Sequence, residues 1–505
     1  MRVPQVHIDA LGAQEVAGDL RFQRIGVTHD DDACGRVRRH AVVAQKVRLW
    51  PESDTPASLA MSAFPCVPRR ATPALRALPV VLAASLLAAC GGDAPEPPRS
   101  SDAAATVAVD APSRIVEWAL PATGAGSASP DLALGADGVL ALSWVNSREG
   151  RRHVFQFSRF DPIGQVWRNA PTTIAIGNRM FVNWADTPHI LPTPDGALWA
   201  QWLQKSGDAP YAYDVALVRS ADGGANWGAP VVPHDDGTRT EHGFVSMWPQ
   251  DGGIGIAWLD GRNTVGTSHG GHEGGHGSET DSRPMTLRAA QFDANLRRVR
   301  EHEIDASVCD CCQTAAAVTA RGPLLVYRGR SDGEVRDIMA TRFEGDGWTE
   351  PTRVHADDWV MPACPVNGPD VAAVQNDVVV AWYSAQSGEP QVQIARSDDA
   401  GDSFTPPVVL DSGAEVQGRV AVALDDRQAW ALWLRENAAG VQSLWLSRRS
   451  PDLATEYERI EVASPQGRGR GTGFPQMQVR DGQAYIVWTE VSEGAPSLRG
   501  VQVAR

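Results

Sequence analysis

The stretch Val139-Leu-Ala-Leu-Ser-Trp144 decides the fold, because similar stretches recur six more times along the 505-residue chain. Each is a short, mostly apolar strand that follows a turn and ends in Trp or Tyr. The other six copies lie at residues 197–202, 254–258, 324–327, 378–382, 429–433 and 484–488. Their terminal aromatic residues are 51 to 69 residues apart. Each interval has room for four short strands, and four-stranded units repeated in this way are typical of a β-propeller.

The two ends of the repeated region are expected to meet in one blade. The last copy has room for only three strands, near residues 476–480, 483–490 and 498–504. Residues 114–120 precede the first copy and can supply the missing outer strand. Such pairing closes the ring and leaves no exposed sheet edge. We therefore predict an all-β fold, a propeller of four-stranded blades over residues 112–505, with seven blades and with six as the alternative.

The composition agrees with many short strands joined by turns. The chain has 17 Trp, 48 Gly and 35 Pro, which favours strands and turns over long helices. Its formal net charge is −15. A nucleic-acid surface needs a basic patch that neutralises phosphate, so we expect no nucleic-acid partner.

An apolar run near the start of the chain predicts export. Residues 77–89 are 13 apolar or small residues, and Arg69, Arg70 and Arg76 precede them. The run is too short to span a bilayer as a helix but suits the core of a signal peptide. It ends in Leu87-Ala-Ala-Cys90-Gly91, which resembles the lipobox of bacterial lipoproteins. The resemblance implies lipidation of Cys90 and a lipid-anchored place in the bacterial cell envelope, facing the periplasm or the outer surface.

These signals divide the chain into four parts. A signal peptide lies at the N-terminus of its precursor, so Met61 is the expected start and residues 1–60 are not expected in the mature protein. Residues 61–90 are the predicted signal peptide with its lipobox. Residues 91–111 are rich in Ala, Pro, Asp and Ser and are predicted to be a flexible tether. Residues 112–505 form the predicted propeller.

Two turns between third and fourth strands carry one motif, Ser-x-Asp-x-Gly-x-x-aromatic. They are Ser220-Ala-Asp222-Gly-Gly224-Ala-Asn-Trp227 and Ser397-Asp-Asp399-Ala-Gly401-Asp-Ser-Phe404. The motif resembles the Asp-box, or BNR, repeats of the sialidase-like β-propeller superfamily. In such a turn the Asp side chain accepts backbone N–H bonds, Gly takes a positive φ, and the aromatic ring packs between strands. The motif therefore indicates the fold and not an activity.

Polar residues collect on the face opposite the Asp-box turns, where the inner strands begin. This face includes the segment Asn183-Trp-Ala-Asp186-Thr-Pro-His189 and also His242. The expected first residues of the inner strands are polar and would ring the central channel: Asp131, His189, Thr314, Asp370, Arg419 and Gln476. We predict a site there for a carbohydrate or another small ligand. A channel that is polar only because water fills it is the alternative.

The sialidase resemblance also implies a catalytic set. In that family arginines bind the sugar carboxylate, an Asp acts as the acid, and a Tyr activated by a Glu is the nucleophile. The candidates here are Arg262, Arg328 and Arg419 for the carboxylate, Tyr383 for the nucleophile, and Asp370 or Asp131 for the acid. The Phe/Tyr-Arg-Ile-Pro motif of the family is absent, the nearest string being Ser113-Arg-Ile-Val116. Two hypotheses stay open: a glycoside hydrolase, of sialidase or another type, and a monomeric, lipid-anchored binding propeller.

Four cysteines lie in the entry loops of two neighbouring blades: Cys309, Cys311, Cys312 and Cys364. The repeat predicts that they form one cluster at the mouth of the channel. In an oxidising compartment they are expected to form disulfides. Three thiols within four residues also suit a copper or zinc site, to which His269, His272 and His276 of a Gly/His-rich insertion would add ligands. Disulfides, a metal or redox site, and free thiols are the three hypotheses.

Overall fold

The computed structural model describes residues 114–148, 152–265 and 283–504. The predicted signal peptide, the lipidation site Cys90 and the tether lie outside these residues, and so do His269, His272 and His276. The helical structure of the described part is a short 3-10 turn, Arg262–Thr264. In that same part, no helix is long and apolar enough to cross a membrane.

Seven sheets form the seven blades of a propeller. The first strand, β1 (Arg114–Glu117), belongs to the last blade. Blade 1 consists of β2 (Ser127–Leu134), β3 (Leu140–Arg148), β4 (Arg152–Asp161), β5 (Val166–Trp167) and β6 (Thr172–Gly177). Blade 2 consists of β7 (His189–Pro192), β8 (Leu198–Lys205) and β9 (Tyr213–Ser220), and Val231 pairs with Leu217 at the place of a fourth strand. Blade 3 consists of β10 (His242–Gln250), β11 (Gly253–Asp260), β12 (Met285–Asp293) and β13 (Arg298–Val308).

The remaining blades follow in chain order. Blade 4 consists of β14 (Ala315–Thr319), β15 (Gly322–Arg328), β16 (Ile338–Glu344), β17 (Gly347–Trp348) and β18 (Thr352–Arg353). Blade 5 consists of β19 (Asp370–Val374), β20 (Asp377–Ser384), β21 (Gln391–Ser397) and β22 (Val408–Ser412). Blade 6 consists of β23 (Val416–Leu424), β24 (Ala429–Glu436), β25 (Gln442–Arg449) and β26 (Glu456–Ala463). Blade 7 consists of β27 (Gln476–Arg480), β28 (Gln483–Ser492), β29 (Ala495–Ala504) and β1. The prediction of an all-β, seven-bladed propeller is confirmed.

Both ends of the described chain close the ring. Strand β1 runs antiparallel to β29, with Arg114 opposite Ala504 and Glu117 opposite Val501. The N–H of Trp118 then donates to the carbonyl of Gly500 at 2.9 Å. The last blade therefore reaches four strands by taking its outer strand from the beginning of the propeller, as the repeat predicts.

Each hydrophobic core lies between two neighbouring blades. In β20 of blade 5, Val378, Val380 and Trp382 pack toward blade 4, whereas Val379 and Ala381 pack toward blade 6. The second strand of a blade is thus buried on both faces, which explains why its sequence is apolar at every position and not at alternate ones. Full burial of one large apolar side chain contributes about 1.5–3 kcal/mol, so stacking of the blades is the main source of stability.

The two Asp-box turns have the same hydrogen bonds. In the first, the Ser220 hydroxyl accepts the N–H of Gly224 at 2.9 Å, and Asp222 Oδ1 accepts the N–H of Asn226 at 2.9 Å. In the second turn the Ser397 hydroxyl accepts the N–H of Gly401, and Asp399 Oδ1 accepts the N–H of Ser403. Gly224 has a φ of 95°, and a Cβ there would lie 2.1 Å from the Phe157 ring. Only Gly fits this position, and the motif serves the turn.

Candidate functional site

A cavity of about 110 Å³ lies where the inner strands of six blades begin. Four of the six residues that were predicted to ring the channel line it: His189, Thr314, Asp370 and Gln476. Asp186 and the ring of Phe474 also line it. Thr187, Gln313 and Phe244 line it as well, so the cavity combines two carboxyl groups, an imidazole, two hydroxyls, two amides and two aromatic rings.

Asp370 is both a wall of this cavity and a clamp between blades. Its Oδ2 accepts the N–H of Val422 in the next blade at 2.7 Å, and its Oδ1 accepts the N–H of Val371 at 2.9 Å. Burial disfavours the carboxylate and raises the pKa of Asp370 to about 6, although these two hydrogen bonds oppose the shift. The group can therefore gain or lose a proton close to neutral pH.

Asp131 makes the corresponding bond between blades 1 and 2, but it does not line the cavity. Its Oδ2 accepts the N–H of Ile190 at 2.7 Å, and its Oδ1 lies 3.0 Å from Nδ1 of His189. Burial acts against a charged His189, but the neighbouring Asp131 and Asp186 outweigh it and raise the pKa of that imidazole. Since 30% of the His189 side chain stays exposed, Asp131 orients a histidine that a ligand can reach.

A second acidic group adjoins the cavity through Asp186. The Tyr213 hydroxyl lies 3.1 Å from Asp186 Oδ2 and 2.5 Å from Glu241 Oε1, and Asp186 Oδ1 accepts the N–H of Phe244 at 2.8 Å. Burial raises the pKa of Asp186 to about 7 and that of Glu241 to about 8. The Tyr213 hydroxyl can donate its single proton to only one of the two carboxyl groups. One further proton on a carboxyl group is therefore favoured near neutral pH, because it reduces the repulsion between Asp186 and Glu241.

This Asp186, Tyr213 and Glu241 group was not among the predicted site residues. Asp186 lies in the polar entry segment 183–189, but Tyr213 and Glu241 are 28 residues apart and belong to different blades. A Tyr next to a Glu is the pairing that the sialidase resemblance implies, and no sequence spacing points to it.

The predicted tyrosine, Tyr383, takes another place. Its ring packs edge-on against Trp359 at 5.7 Å, and its backbone carbonyl accepts a hydrogen bond from Arg328. Burial raises the pKa of its hydroxyl. Tyr383 is not one of the residues that line the cavity.

The three predicted arginines do not meet at the cavity. Arg328 is fully buried and donates to the carbonyls of Asn367, Arg336 and Tyr383 at 2.6 to 3.0 Å. Arg419 donates to the carbonyls of Gly473 and Gly469, and Arg262 forms a bidentate pair with Asp260. Each guanidinium is thus bound within the protein, and the predicted carboxylate-binding group is not assembled.

Phe474, which lines the cavity, forms an aromatic pair with Trp184. The Trp184 ring stacks on Phe474 with a centroid distance of 5.7 Å, and Arg419 lies over Trp184 at 4.9 Å. Arg470 is exposed and lies over the same indole at 5.3 Å. Burial lowers the pKa of Arg419 to about 10, and its contacts hold the loop that carries Phe474.

The four cysteines form one cluster, as the repeat predicts. Cys309 and Cys312 form a disulfide with a Cα–Cα distance of 5.7 Å. The Sγ of Cys311 lies 3.9 Å from that of Cys309, and its thiol is hydrogen-bonded to Cys364 of the next blade. Burial and, to a smaller extent, the hydrogen bond to Cys364 raise the pKa of the Cys311 thiol. The disulfide joins residues of one loop, so the contact between the two blades is made by thiols.

The cysteine cluster is tied to the cavity through Gln313. The side-chain oxygen of Gln313 accepts the N–H of Gly368 at 2.9 Å, and its amide nitrogen donates to the carbonyl of Ala185 at 2.9 Å. A Cβ on Gly368 would lie 2.1 Å from the Gln313 carbonyl oxygen, so Gly is required at this close approach. Gln313 directly follows Cys312 in the chain and itself lines the cavity, so the cysteine cluster and the cavity are adjacent.

Comparisons with known proteins concern the fold alone. No family model and no curated protein sequence matches this chain. Among solved structures, a protein of unknown function from Dyadobacter fermentans is 14% identical over 78% of this chain and 99% of that chain, with a TM-score of 0.43. The NanB sialidase from Streptococcus pneumoniae is 7% identical over 72% and 83%, with a TM-score of 0.41. An α-L-arabinanase from Penicillium chrysogenum, solved with arabinobiose, is 13% identical over 77% and 97%, with a TM-score of 0.40.

Proposed function

We propose that this propeller binds the end of a carbohydrate, or another small polar molecule, in its central cavity. The observation that supports this most directly is that His189, Thr314, Asp370 and Gln476 come from four different blades to one cavity beside Phe474. Hydrogen-bonding groups around one apolar ring suit the polar edges and apolar face of a sugar. Pockets for drug-sized ligands measure about 300–1,000 Å³. A cavity of about 110 Å³ therefore takes one terminal ring or a smaller group.

The cavity favours a neutral ligand over an acidic sugar. Its lining in the described part of the chain contains no Arg or Lys, and the three arginines predicted for a carboxylate are engaged elsewhere. Two carboxyl groups in the wall would repel an anion when ionised, and the imidazole of His189 is already paired with Asp131. The cavity therefore supports binding of a neutral sugar better than it supports the exo-sialidase hypothesis.

A glycoside hydrolase that acts on neutral sugars is the second candidate. Asp186 and Asp370 line the same cavity, and burial raises the pKa of the first to about 7 and of the second to about 6. Carboxyl groups with pKa values raised toward neutrality are suited to acid and base catalysis of glycosidic cleavage.

The place of action that we propose is the bacterial cell envelope. The support is the sequence Leu87-Ala-Ala-Cys90-Gly91 behind an apolar run of signal-peptide length. A lipid on Cys90 would anchor a monomeric propeller that faces the periplasm or the outer surface. Copper or zinc at the cysteine cluster remains a proposal too, supported by the sulfurs of Cys309, Cys311 and Cys312, which lie within 4.8 Å of one another. Only reduced cysteines can bind such an ion.

Binding by the full chain tests the proposed function. Calorimetry and saturation-transfer NMR against neutral and sialylated mono- and oligosaccharides should find a neutral ligand. Asp370→Asn should weaken its binding at least tenfold. It should lower the melting temperature by less than Asp370→Ala, because Asn still offers an oxygen to the Val422 N–H and leaves only the Val371 N–H without its side-chain acceptor. Asp411→Asn is the matched control: Asp411 is a buried Asp of the same blade that bonds the Trp433 indole instead of the cavity. Tight binding of only sialylated compounds, or equal effects of both variants, would contradict the proposal.

A further inference from the structure

The loop that enters blade 7 carries two exposed arginines beside the cavity. This arginine loop, Gly467-Arg-Gly-Arg-Gly-Thr-Gly473, lies between β26 and β27. Arg468 and Arg470 are both exposed, and Phe474, which follows the loop directly, lines the cavity. Two positive charges are thus placed next to a cavity whose own lining, among the described residues, contains neither Arg nor Lys.

Hydrogen bonds to neighbouring side chains hold the arginine loop in place, although four of its seven residues are Gly. Arg419 donates to the carbonyl of Gly469 at 2.8 Å, and the N–H of Gly469 donates to Glu436 Oε2 at 2.6 Å. The hydroxyl of Thr472 donates to the side-chain oxygen of Gln442, and both residues are 0% exposed. A loop that is already ordered binds a ligand at a lower cost in entropy than a mobile loop does.

The two exposed arginines have no anionic partner. Neither Arg468 nor Arg470 forms an ion pair or a side-chain hydrogen bond with any residue that the structure describes. The carboxylates nearby bond the backbone instead, since Glu436 and Glu490 accept backbone N–H groups at 2.6 and 2.7 Å. A guanidinium has five N–H donors. Those of the two arginines are therefore open to a ligand, in a chain whose formal net charge is −15.

Arg470 also shares an aromatic ring with a second cation. Its guanidinium carbon lies 5.3 Å from the centre of the Trp184 ring, and that of Arg419 lies 4.9 Å from the same ring. Burial is the main cause that lowers the pKa of Arg419, Glu436 acts against the shift, and the charge of Arg470 adds to it. The two guanidinium groups repel each other, and an anion bound to Arg470 would offset this repulsion.

We propose that Arg470, together with Arg468, binds a carboxylate or sulfate group of an acidic glycan whose neutral end enters the cavity. This inference rests on the proposed function, because the cavity is taken to hold the neutral end. Arginine is suited to the role, since its planar fork of donors matches two oxygens of one carboxylate or sulfate group. The ligand class that follows is a polysaccharide with uronate or sulfate groups near a neutral terminal sugar.

A glycan fits this surface better than an anionic membrane does. Membrane recognition by charge uses clusters of about four to eight Lys or Arg, whereas the arginine loop has two arginines. Between Arg470 and the cavity lies an aromatic surface, because the half-buried Trp184 ring stacks on Phe474 at 5.7 Å. An aromatic surface that joins a charged group to a small polar cavity suits consecutive sugar rings.

Two matched pairs of polysaccharides test the proposal with the full chain. Dextran sulfate is compared with dextran, and polygalacturonate with its fully methyl-esterified, uncharged form. In calorimetry at least one charged polymer should bind about tenfold or more tightly than its uncharged counterpart, and the pair that responds identifies sulfate or carboxylate as the group bound. This binding should weaken when sodium chloride is raised from about 50 to about 300 mM, because salt screens exposed charges.

Arg470→Gln should weaken binding of the charged polymer by about tenfold or more, the loss expected for one charge-assisted contact. Arg470→Lys keeps the charge without the planar fork and should give an intermediate affinity. Arg114→Gln is the matched control, because Arg114 is exposed on β1 and has no ion pair among the described residues. It should bind as the wild type does.

Three results would overturn the proposal: equal affinity for charged and uncharged polymers, unchanged affinity in Arg470→Gln, or binding to phosphatidylglycerol vesicles but to neither charged polymer. Asp370→Asn separates this proposal from the function proposed for the cavity. Loss of binding in Arg470→Gln but not in Asp370→Asn would support the arginine loop and count against the cavity. Loss in Asp370→Asn alone would refute the arginine loop and leave the cavity in place.

Discussion

Asp370 Oδ2 accepts a hydrogen bond of 2.7 Å from the backbone N–H of Val422, so a carboxyl group of the candidate site also joins blade 5 to blade 6. Asp131 makes the corresponding bond to Ile190 between blades 1 and 2, also at 2.7 Å. Both aspartates directly follow a proline, Asp370 as the first residue of β19 and Asp131 within β2. The Asp370 side chain therefore both stabilises the contact between two blades and lines the candidate site. Different substitutions at this position are needed to distinguish an effect on stability from an effect on ligand binding.

Asp370→Ala should destabilise the propeller more than Asp370→Asn. Alanine leaves the buried N–H of Val422 without a partner, which costs about 1–3 kcal/mol, whereas Asn keeps an acceptor oxygen. Urea denaturation followed by tryptophan fluorescence measures the two free energies of unfolding. Asp131→Ala should show a similar loss through Ile190. Equal stabilities of the Ala and Asn variants would show that the clamp between blades contributes nothing.

The pH dependence of stability should carry a signature of Glu241. Burial raises the pKa of Glu241 from 4.5 to about 8, so between these values the folded state binds a proton that the unfolded state releases. Its contribution to stability is complete below pH 4.5 and is lost as the pH rises toward 8, at up to about 1.4 kcal/mol per pH unit. Glu241→Gln should therefore flatten the fall in the free energy of unfolding across this range.

Urea denaturation from pH 4.5 to 8 measures this effect. Glu389→Gln is the control, because Glu389 is exposed, and its profile should follow that of the wild type. A Glu241→Gln profile that is as steep as the wild type would mean that Glu241 does not hold its proton near neutral pH.

The repeat in the sequence carries most of the fold. A strand such as Val378-Val-Val-Ala-Trp382 is apolar at every position because each face packs against a different blade. Seven such strands therefore predict seven inter-blade cores, and β1 completes the last blade. The same repeat places four of the six predicted ring residues at the cavity, since the start of an inner strand has one position in every blade.

The contacts of the predicted arginines could not be read from the sequence. Arg328 and Arg419 are bound by backbone carbonyls of Asn367 and Gly473. Every residue has a backbone carbonyl, so the sequence does not distinguish an arginine that bonds a loop backbone from one that is available to bind a ligand. The pairing of Tyr213 with Glu241 has no sequence signature for a related reason, because it depends on how the segment that enters blade 3 passes the first residue of β9.

Mapping of the cysteines should find one disulfide and two thiols in the cluster. Mass spectrometry of the unreduced full chain is expected to show Cys309 joined to Cys312, with Cys311 and Cys364 alkylated after unfolding. In the folded protein Cys311 should react with iodoacetamide more slowly than Cys364, because it is buried and its pKa is raised. A peptide that joins Cys311 to Cys364 would instead favour two disulfides, and protection of all four by copper or zinc would favour the metal site.

Trp118→Ala should reveal how much the closure of the ring contributes to stability. Trp118 follows β1, is 2% exposed, and packs on Trp167, Phe160 and Tyr485 with centroid distances of 5.2 to 5.4 Å. Removing the indole opens a cavity between the first and last blades and should lower the free energy of unfolding by about 3–5 kcal/mol.

Glu117→Ala, one residue earlier on the exposed strand β1, should change that free energy by less than about 0.5 kcal/mol. Urea denaturation of both variants beside the wild type supplies the comparison. The large loss is expected because Trp118 joins residues from the two ends of the propeller, so weakening this core releases an edge strand as well as a side chain. Equal stabilities of the two variants would mean that the ring is held closed by the backbone pairing of β1 and β29 alone.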